Sequence, residues 1–240
     1  MAVSKVRVAI LEDHQGVIDG YMYRLSPSPE IQVVGCAYYG EDLEPLLVAH
    51  PADVLLMDIS VPTSAQNSNN FPVLHMVSNL RNKFPKMRIL VISFMSENTL
   101  IDALIDAGIS GYIFKNDQSS IQRLVNIVLS IATGGAYFSK NAYRRIRSEN
   151  EKSKESPLTL RQMEILSICA AYPDVKTAEL ADRLGIAGST LRNLLSGAYF
   201  RLDVRTRAAA ISKARQMGLL ADSDSANSKT QKKYTNDPNS

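Results

Sequence analysis

The chain has 240 residues, 45% hydrophobic and 21% charged, a balance typical of a globular protein with one or two domains. No apolar run approaches the ~18 residues that a transmembrane helix needs, and the first residues lack the apolar core of a secretory signal. The net charge of +3 divides unevenly: residues 1–138 carry 9 Lys and Arg against 13 Asp and Glu, whereas residues 157–220 carry 9 against 5. The basic second part predicts a polyanionic partner.

Short β-rich runs alternate with helical patterns in the first half of the chain. The predicted strands are Val6–Leu11, Ile31–Ala37, Val54–Met57, Arg88–Ser93 and Gly111–Phe114. The predicted helices lie near Gln15–Leu25, Asp42–His50, Pro72–Phe84, Asn98–Ala107 and Gln118–Ala132. This alternation predicts a doubly wound α/β domain over residues 1–138, with a five-stranded parallel sheet and helices on both faces. We take its strand order to be 2-1-3-4-5, one of the common doubly wound orders.

The second half shows helical patterns and no strand signal. Residues 139–156 are polar and charged and predict a linker, and residues 221–240 have the composition of a disordered tail. Between them, residues 157–220 predict a small all-α domain. Its helices are expected near Thr159–Ala171, Thr177–Leu184, Ser189–Leu202 and Thr206–Met217, the first opened by a Thr159/Gln162 capping box. Cys36 and Cys169 lie in apolar surroundings and predict free thiols, which suits the cytoplasm.

Polar and charged side chains follow four of the predicted strands. Glu12 and Asp13 come after the first strand, Asp58 after the third, Ser93 ends the fourth, and Lys115 follows the fifth. In a parallel sheet these strand ends surround one crevice, which is where ligands bind. Clustered carboxylates stay ionised beside a cation, and oxygen ligands with retained water suit Mg²⁺.

Each of these residues alone has an ordinary explanation. Glu12 and Asp13 suit a solvated turn at a helix N-terminus, Ser93 suits a strand end, and Lys115 suits the surface. Their conjunction favours a different interpretation, in which Asp58 is a nucleophile that accepts a phosphoryl group. The metal, the lysine and the hydroxyl would then bind the phosphoryl oxygens.

The second and third helices of the all-α part are joined by a tight turn at Gly185–Gly188, which is typical of a helix-turn-helix. Ser189 suits the N-cap of the third helix. On that helix Arg192 and Asn193 are residue types that read guanine and adenine in the major groove, and Arg201 suits a phosphate contact. The alternative is a polar helix face in a protein-binding domain.

The first half also resembles a known family. EDH at 12–14, LLMDISVP at 55–62, VIS at 91–93 and GYIFK at 111–115 are similar to the receiver domain of bacterial response regulators, over roughly residues 4–138. The resemblance implies that a sensor histidine kinase phosphorylates Asp58. It implies a Mg²⁺ site formed by Glu12, Asp13, Asp58 and the Ser60 carbonyl. It also implies roles for Ser93 and Tyr112 as switch residues and for Lys115 as the phosphoryl contact.

The second half resembles the LuxR/NarL-type helix-turn-helix, through matches that include Glu179-Leu180-Ala181 and Thr190-Leu191-Arg192-Asn193. The resemblance implies a transcription factor, not an enzyme, that binds double-stranded DNA as a homodimer. Its dimer face would be the helix Thr206–Met217. The expected DNA-binding residues are Ser189, Thr190, Arg192, Asn193, Ser196 and Arg201.

Two departures from the family pattern leave alternatives open. After Pro62 the chain has eight residues, TSAQNSNN, where the family has a short glycine-containing turn. Phe94 stands where a small residue is common and is expected to restrict phosphoryl access. The extension is expected to be a solvated loop, or a surface that restricts access or recruits a partner. One alternative function is therefore a DNA-binding regulator controlled by a partner or ligand without phosphorylation. An aspartate-dependent phosphohydrolase is a further alternative, but its usual second acid is replaced by Ser60.

Overall fold

The computed structural model describes residues 5–140, 142 and 156–221, which form an α/β part and a helical part. Most of the predicted linker and nearly all of the predicted tail lie outside these residues, so both remain predictions. Within the described ranges, no helix combines the length and apolar character needed to cross a membrane.

The α/β part is built on a parallel sheet whose strands follow the predicted bounds. These strands are β1 (Val6–Leu11), β2 (Ile31–Ala37), β3 (Val54–Met57), β6 (Arg88–Ser93) and β7 (Gly111–Phe114). Their order, β2-β1-β3-β6-β7, is the predicted doubly wound order. A short sixth strand, β8 (Tyr137–Phe138), pairs in parallel with β7. The central strand β3 is buried along its whole length, because helices cover both faces of the sheet.

The helices of this part lie close to their predicted positions. They are α1 (Gln15–Leu25), α2 (Gly40–Ala49), α3 (Val73–Lys83), α4 (Asn98–Ala107), α5 (Gln118–Gln122) and α6 (Leu124–Ala132). The last predicted helix is therefore two helices, because the backbone of Arg123 leaves the helical region with φ −97° and ψ 15°. The α4 helix ends at Gly108, whose φ of 99° is a left-handed conformation that favours glycine.

The extension after Pro62 lies in a β-hairpin and is not a solvated loop. The other alternative, a surface that restricts access or recruits a partner, stays a prediction. The strands of the hairpin are β4 (Pro62–Ser64) and β5 (Asn67–Asn70), which pair in antiparallel fashion. Thr63 is buried and its hydroxyl donates a hydrogen bond of 2.8 Å to the carbonyl of Asn69. The side-chain oxygen of Asn67 accepts from the Asn69 backbone N–H at 3.1 Å. Side-chain hydrogen bonds therefore replace the glycine that a tighter turn would use.

The helical part contains α7 (Leu160–Ala171), α8 (Thr177–Arg183), α9 (Gly188–Arg201) and α10 (Arg207–Gln216). The predicted capping box is confirmed, since Thr159 and Gln162 each accept a backbone hydrogen bond from the other. The predicted N-cap at Ser189 is wrong. The helix α9 begins at Gly188, its N-cap is Ala187, and no side chain caps it. Gly188 adopts helical geometry, so Ser189 lies inside the first turn.

The two parts pack against each other through α7. This helix contacts α3, α4 and β5, and one hydrophobic cluster of buried side chains continues through both parts. The Asn67 side-chain amide of the hairpin donates to the carbonyl of Ala171, at the end of α7, over 2.8 Å. On α3, the Ser78 hydroxyl donates to the buried carboxylate of Glu164, which also pairs with Arg161 at 2.8 Å. The hairpin is therefore part of a polar and apolar interface between the two parts.

The hairpin contact predicts a specific effect on unfolding. In Asn67→Asp the acceptor toward Asn69 remains, but a carboxylate faces the Ala171 carbonyl. We expect the interface to lose about 1–3 kcal/mol, so that the helical part unfolds at lower temperature than the α/β part. Differential scanning calorimetry would show a split transition.

Ser68→Asp is the matched control, because it adds the same charge at an exposed position of the same strand. It should unfold like the wild type. Identical unfolding of the Asn67→Asp protein and the wild type would contradict a role for the hairpin in docking.

Candidate functional site

The predicted polar residues converge at the carboxyl edge of the sheet. Glu12 and Asp13 follow β1, Asp58 follows β3, Ser93 ends β6 and Lys115 follows β7. These strands are neighbours in the order β1-β3-β6-β7, so their ends border one crevice. Glu12, Asp58 and Ser93 are buried. Asp13 and Lys115 are half-buried as whole residues, but the side chain of Lys115 is only 6% exposed.

The Lys115 ammonium joins two of the carboxylates. Its nitrogen lies 2.7 Å from Oδ2 of Asp58 and 2.6 Å from Oε2 of Glu12. The backbone N–H of Lys115 donates to the Ser93 carbonyl over 2.9 Å, which fixes the start of the side chain. One cation thus holds two buried acids from separate strands.

Burial and charge pairing act in opposite directions on the pKa values of this cluster. Burial raises the pKa of Glu12, the negative charge of Asp58 raises it further, and Lys115 acts in the opposite direction. Burial alone would lower the pKa of Lys115, but its pairing with Asp58 and Glu12 outweighs that effect and the pKa is raised. Lys115 is therefore charged at neutral pH.

The second oxygen of Asp58 is held by the backbone. Oδ1 accepts hydrogen bonds from the N–H groups of Ile59 at 2.6 Å and Ser60 at 3.2 Å. With Lys115 on Oδ2, donors surround both oxygens of Asp58 and fix the orientation of its carboxylate. Such donors also stabilise charge that develops on a reacting phosphoryl group.

The residues beside Asp58 offer ligand atoms suited to a divalent cation. Ligand atoms of Glu12, Asp13 and His14 lie within 4.8 Å of one another. The predicted metal acids Glu12 and Asp13 are therefore adjacent, and their hard oxygen donors fit Mg²⁺. His14 was not predicted to take part; its Nδ1 lies 2.8 Å from Oδ1 of Asp13. Ser60 contacts the site through its N–H, and its predicted carbonyl ligation stays a prediction.

Both predicted switch residues contact the same loop. The Ser93 hydroxyl accepts a hydrogen bond from the Met95 N–H at 3.3 Å, and the Tyr112 hydroxyl donates to the Met95 carbonyl at 2.7 Å. Ser93 and Tyr112 are both fully buried, and the Tyr112 ring packs edge-on against Phe114. Met95 lies just before α4 and was not singled out from sequence, because its contribution is made entirely by backbone atoms.

Phe94 lies beside the lysine of the site. Its ring centroid is 5.6 Å from the Lys115 nitrogen, within the range of a cation–π contact, and the residue is 55% exposed. The ring therefore lies at the exposed rim of the site, beside Lys115. The expected restriction of phosphoryl access by Phe94 remains a prediction.

The predicted DNA-binding side chains lie on the outer side of α9 and remain exposed with both parts of the protein present. These exposed residues are Ser189, Thr190, Arg192, Asn193, Ser196 and Arg201. The inner side of the helix, with Leu191, Leu195 and Ala198, is buried in the core. The guanidinium of Arg201 also donates to the Pro157 carbonyl at 3.3 Å, which positions it at the end of the helix.

Known proteins share both the sequence pattern and the fold. Residues 8–128 match the family described as the response regulator receiver domain. The transcriptional regulatory protein MctR of Rhizobium johnstonii is 27% identical, over 90% of this chain and 96% of that protein. The transcriptional regulatory protein DesR of Bacillus subtilis is also 27% identical, over 89% of this chain and 98% of that protein.

Among solved structures, RcsB from Salmonella enterica serovar Typhimurium, bound to promoter rprA with phosphomimetic BeF3⁻, is similar with a TM-score of 0.61. The two chains are 19% identical, and the match covers 88% of this chain and 98% of RcsB. This likeness shows that the chain has the same fold as RcsB over both parts.

The Lys115 ion pairs predict how stability depends on pH. In Lys115→Gln, Glu12 and Asp58 face each other without a cation, which should cost about 3–5 kcal/mol of unfolding free energy near neutral pH. The pKa of Glu12 is already raised above its ordinary 4.5 and should rise further without Lys115. The folded state then binds a proton more readily than the unfolded chain. Stability therefore falls as the pH rises from the ordinary pKa of Glu12 to its raised pKa in the folded state.

Urea unfolding at about pH 5 and about pH 8 would measure this difference, with the larger loss expected at the higher pH. Lys83→Gln is the control, because Lys83 pairs with Glu44 at the exposed surface and should matter by less than about 1 kcal/mol at either pH. A loss for Lys115→Gln that is equal at both pH values would contradict this account of the cluster.

Proposed function

Because the chain belongs to the response regulators of the NarL/FixJ type, we propose that phosphorylation of Asp58 controls its activity as a DNA-binding transcription factor. The observation that carries the proposal is the geometry of Asp58. Both of its oxygens are held by donors, from Lys115 on one side and two backbone N–H groups on the other. We further propose that the protein acts in the cytoplasm, where both a kinase domain and DNA are accessible.

The proposed reaction is transfer of a phosphoryl group from a phosphohistidine of a sensor kinase. An oxygen of Asp58 attacks the phosphorus, and the bond from phosphorus to the imidazole nitrogen breaks. An acyl phosphate forms on Asp58, and the imidazole of the kinase is the leaving group. Lys115 binds a phosphoryl oxygen and neutralises charge in the transition state. Glu12, Asp13, Asp58 and the Ser60 carbonyl would hold Mg²⁺, which supplies additional positive charge toward the phosphoryl oxygens.

Phosphorylation would change the surroundings of Met95. A phosphoryl group adds about −1.5 to −2 charge and three strong acceptors. The Ser93 hydroxyl could then turn from the Met95 N–H toward a phosphoryl oxygen. Because Met95 also accepts from Tyr112 and leads into α4, this loop and helix would shift together. The α4 helix contacts α7, so the shift would reach the helical part.

The proposed DNA-binding element is α9, the second helix of the helix-turn-helix. Its exposed stripe offers Arg192 and Asn193 to base edges, and Arg201 to a phosphate. The net positive charge of this part would favour approach to DNA. We propose homodimerisation through α10, which exposes Lys213 and Gln216 and is followed directly by the exposed Met217.

A second candidate function is regulation without phosphorylation, by a partner or ligand. The observation that favours it is the position of Phe94, whose ring lies over Lys115. In this case Asp58 and Lys115 would form a permanent ion pair, and the hairpin interface would respond to the partner. A phosphohydrolase is less favoured, because Ser60 provides no acid two residues beyond Asp58.

The phosphorylation proposal predicts one covalent adduct. Incubation with Mg²⁺ and a small phosphodonor such as acetyl phosphate should add the mass of one phosphoryl group to the wild type and none to Asp58→Ala. Intact-mass spectrometry would measure this. Asp53→Ala is the control, because Asp53 precedes β3 at the opposite edge of the sheet and should leave the adduct unchanged. If the wild type remains unmodified, the second candidate function is favoured instead.

The DNA-binding proposal predicts a loss in Arg192→Ala. Removing a bidentate contact to guanine should weaken binding to a site selected from random DNA by about 1–3 kcal/mol, or about 5- to 150-fold. Fluorescence anisotropy would measure the dissociation constants. Lys86→Ala removes the same charge from an exposed loop of the α/β part and should change affinity little. Equal affinity of Arg192→Ala and the wild type would show that α9 does not read the bases there.

A further inference from the structure

Phe200, in the last turn of α9, is the most exposed large hydrophobic side chain among the described residues. It is 87% exposed, with both parts of the protein packed together. A single exposed aromatic residue on a protein surface is ordinary in itself. Its position on the helix is what distinguishes Phe200.

Phe200 lies on the same exposed side of α9 as several predicted DNA-binding residues, near the C-terminal end of the helix. Successive residues of an α-helix are separated by about 100°, so Ser189, Asn193, Ser196 and Phe200 fall on one side, within about 60° of one another. The buried residues Leu191, Leu195 and Ala198 define the opposite side. The ring therefore points directly away from the core, about 16 Å along the axis from Ser189.

The other exposed side chains of α9 are polar or charged, so the helix itself offers no apolar patch around Phe200. Ser196 and Asn193 precede it on the stripe, and Arg192 and Arg201 flank the same exposed surface. A protein partner would ordinarily be met by a contiguous apolar surface, whereas DNA is met by polar and basic side chains. On the floor of the major groove the one apolar group is the C5-methyl of thymine, and Phe is among the side chains that contact it.

We propose that Phe200 is a specificity-determining residue that packs on a thymine methyl group in the major groove, about two turns along α9 from Arg192 and Asn193. This inference rests on the proposed DNA-binding function of α9. It adds an apolar contact, and therefore a preference for thymine at one position, to a helix whose other exposed side chains are polar or charged.

The test removes the methyl group and the ring separately. A site is first selected from random DNA with the full-length wild type, and each thymine is then replaced by deoxyuracil, which lacks only the C5-methyl. Replacing the thymine at one position should weaken binding of the wild type about fourfold. This is the change in dissociation constant that corresponds to losing one buried methyl group. Phe200→Ala should lose a similar factor on the thymine site and nothing further on the deoxyuracil site.

Phe200→Ala should fold normally, because the ring is exposed and alanine favours helix; thermal unfolding would verify this. Tyr23→Ala, which removes a similarly exposed aromatic ring from α1, is the matched control and should keep the wild-type response to deoxyuracil. Equal deoxyuracil effects in the wild type and Phe200→Ala would overturn the proposal. So would loss of self-association in Phe200→Ala with unchanged DNA affinity, which would place the ring in a protein interface. If the wild type enriches no sequence, the proposed function itself fails.

Discussion

The ammonium group of Lys115, held between Glu12 and Asp58, is the interaction on which the site depends. Two buried carboxylates this close repel each other, and the fold tolerates them because one buried cation pairs with both. The arrangement keeps Asp58 at the crevice in a fixed orientation. It also concentrates negative charge, which a phosphoryl group would increase and a divalent cation would offset, so the same electrostatics govern stability and the proposed chemistry.

A continuous series of contacts connects this site to the helical part. Ser93 and Tyr112 both bond to the backbone of Met95, which precedes α4, and α4 packs against α7. The hairpin adds a second contact, since Asn67 bonds to the end of α7. The helix proposed to read DNA keeps its outer side exposed in this arrangement. The docked state therefore leaves the recognition surface open, and the effect of phosphorylation would act through the interface and not through uncovering α9.

The sequence predicts the sheet well and the hairpin poorly, for physical reasons. Four of the five main strands end at, or are followed by, polar or charged residues, and the burial of β3 and β6 follows from their hydrophobicity. The hairpin at Pro62–Asn70 depends on side-chain hydrogen bonds of Thr63 and Asn67, and on a carbonyl 104 positions away along the chain. Such a contact has no local signature.

In the site, too, some features could be predicted from the sequence and others could not. Glu12, Asp58 and Lys115 are side chains at predicted strand ends, and their convergence follows from the strand order. Met95 contributes through backbone atoms, and residue type says little about a backbone contact. The start of α9 was misplaced at Ser189 because a favourable capping residue is present, although Gly188 is already helical.

The central claim is that the state of Asp58 sets the affinity of α9 for DNA. The most direct measurement is the dissociation constant of the full-length protein for its selected DNA site, with and without a phosphodonor, in the wild type and in Asp58→Ala. The account predicts that the phosphodonor strengthens binding by the wild type about tenfold, in the range typical of coupled sites, and leaves Asp58→Ala unchanged. A wild-type affinity that is the same in both conditions, in protein shown to carry the phosphoryl group, would contradict it.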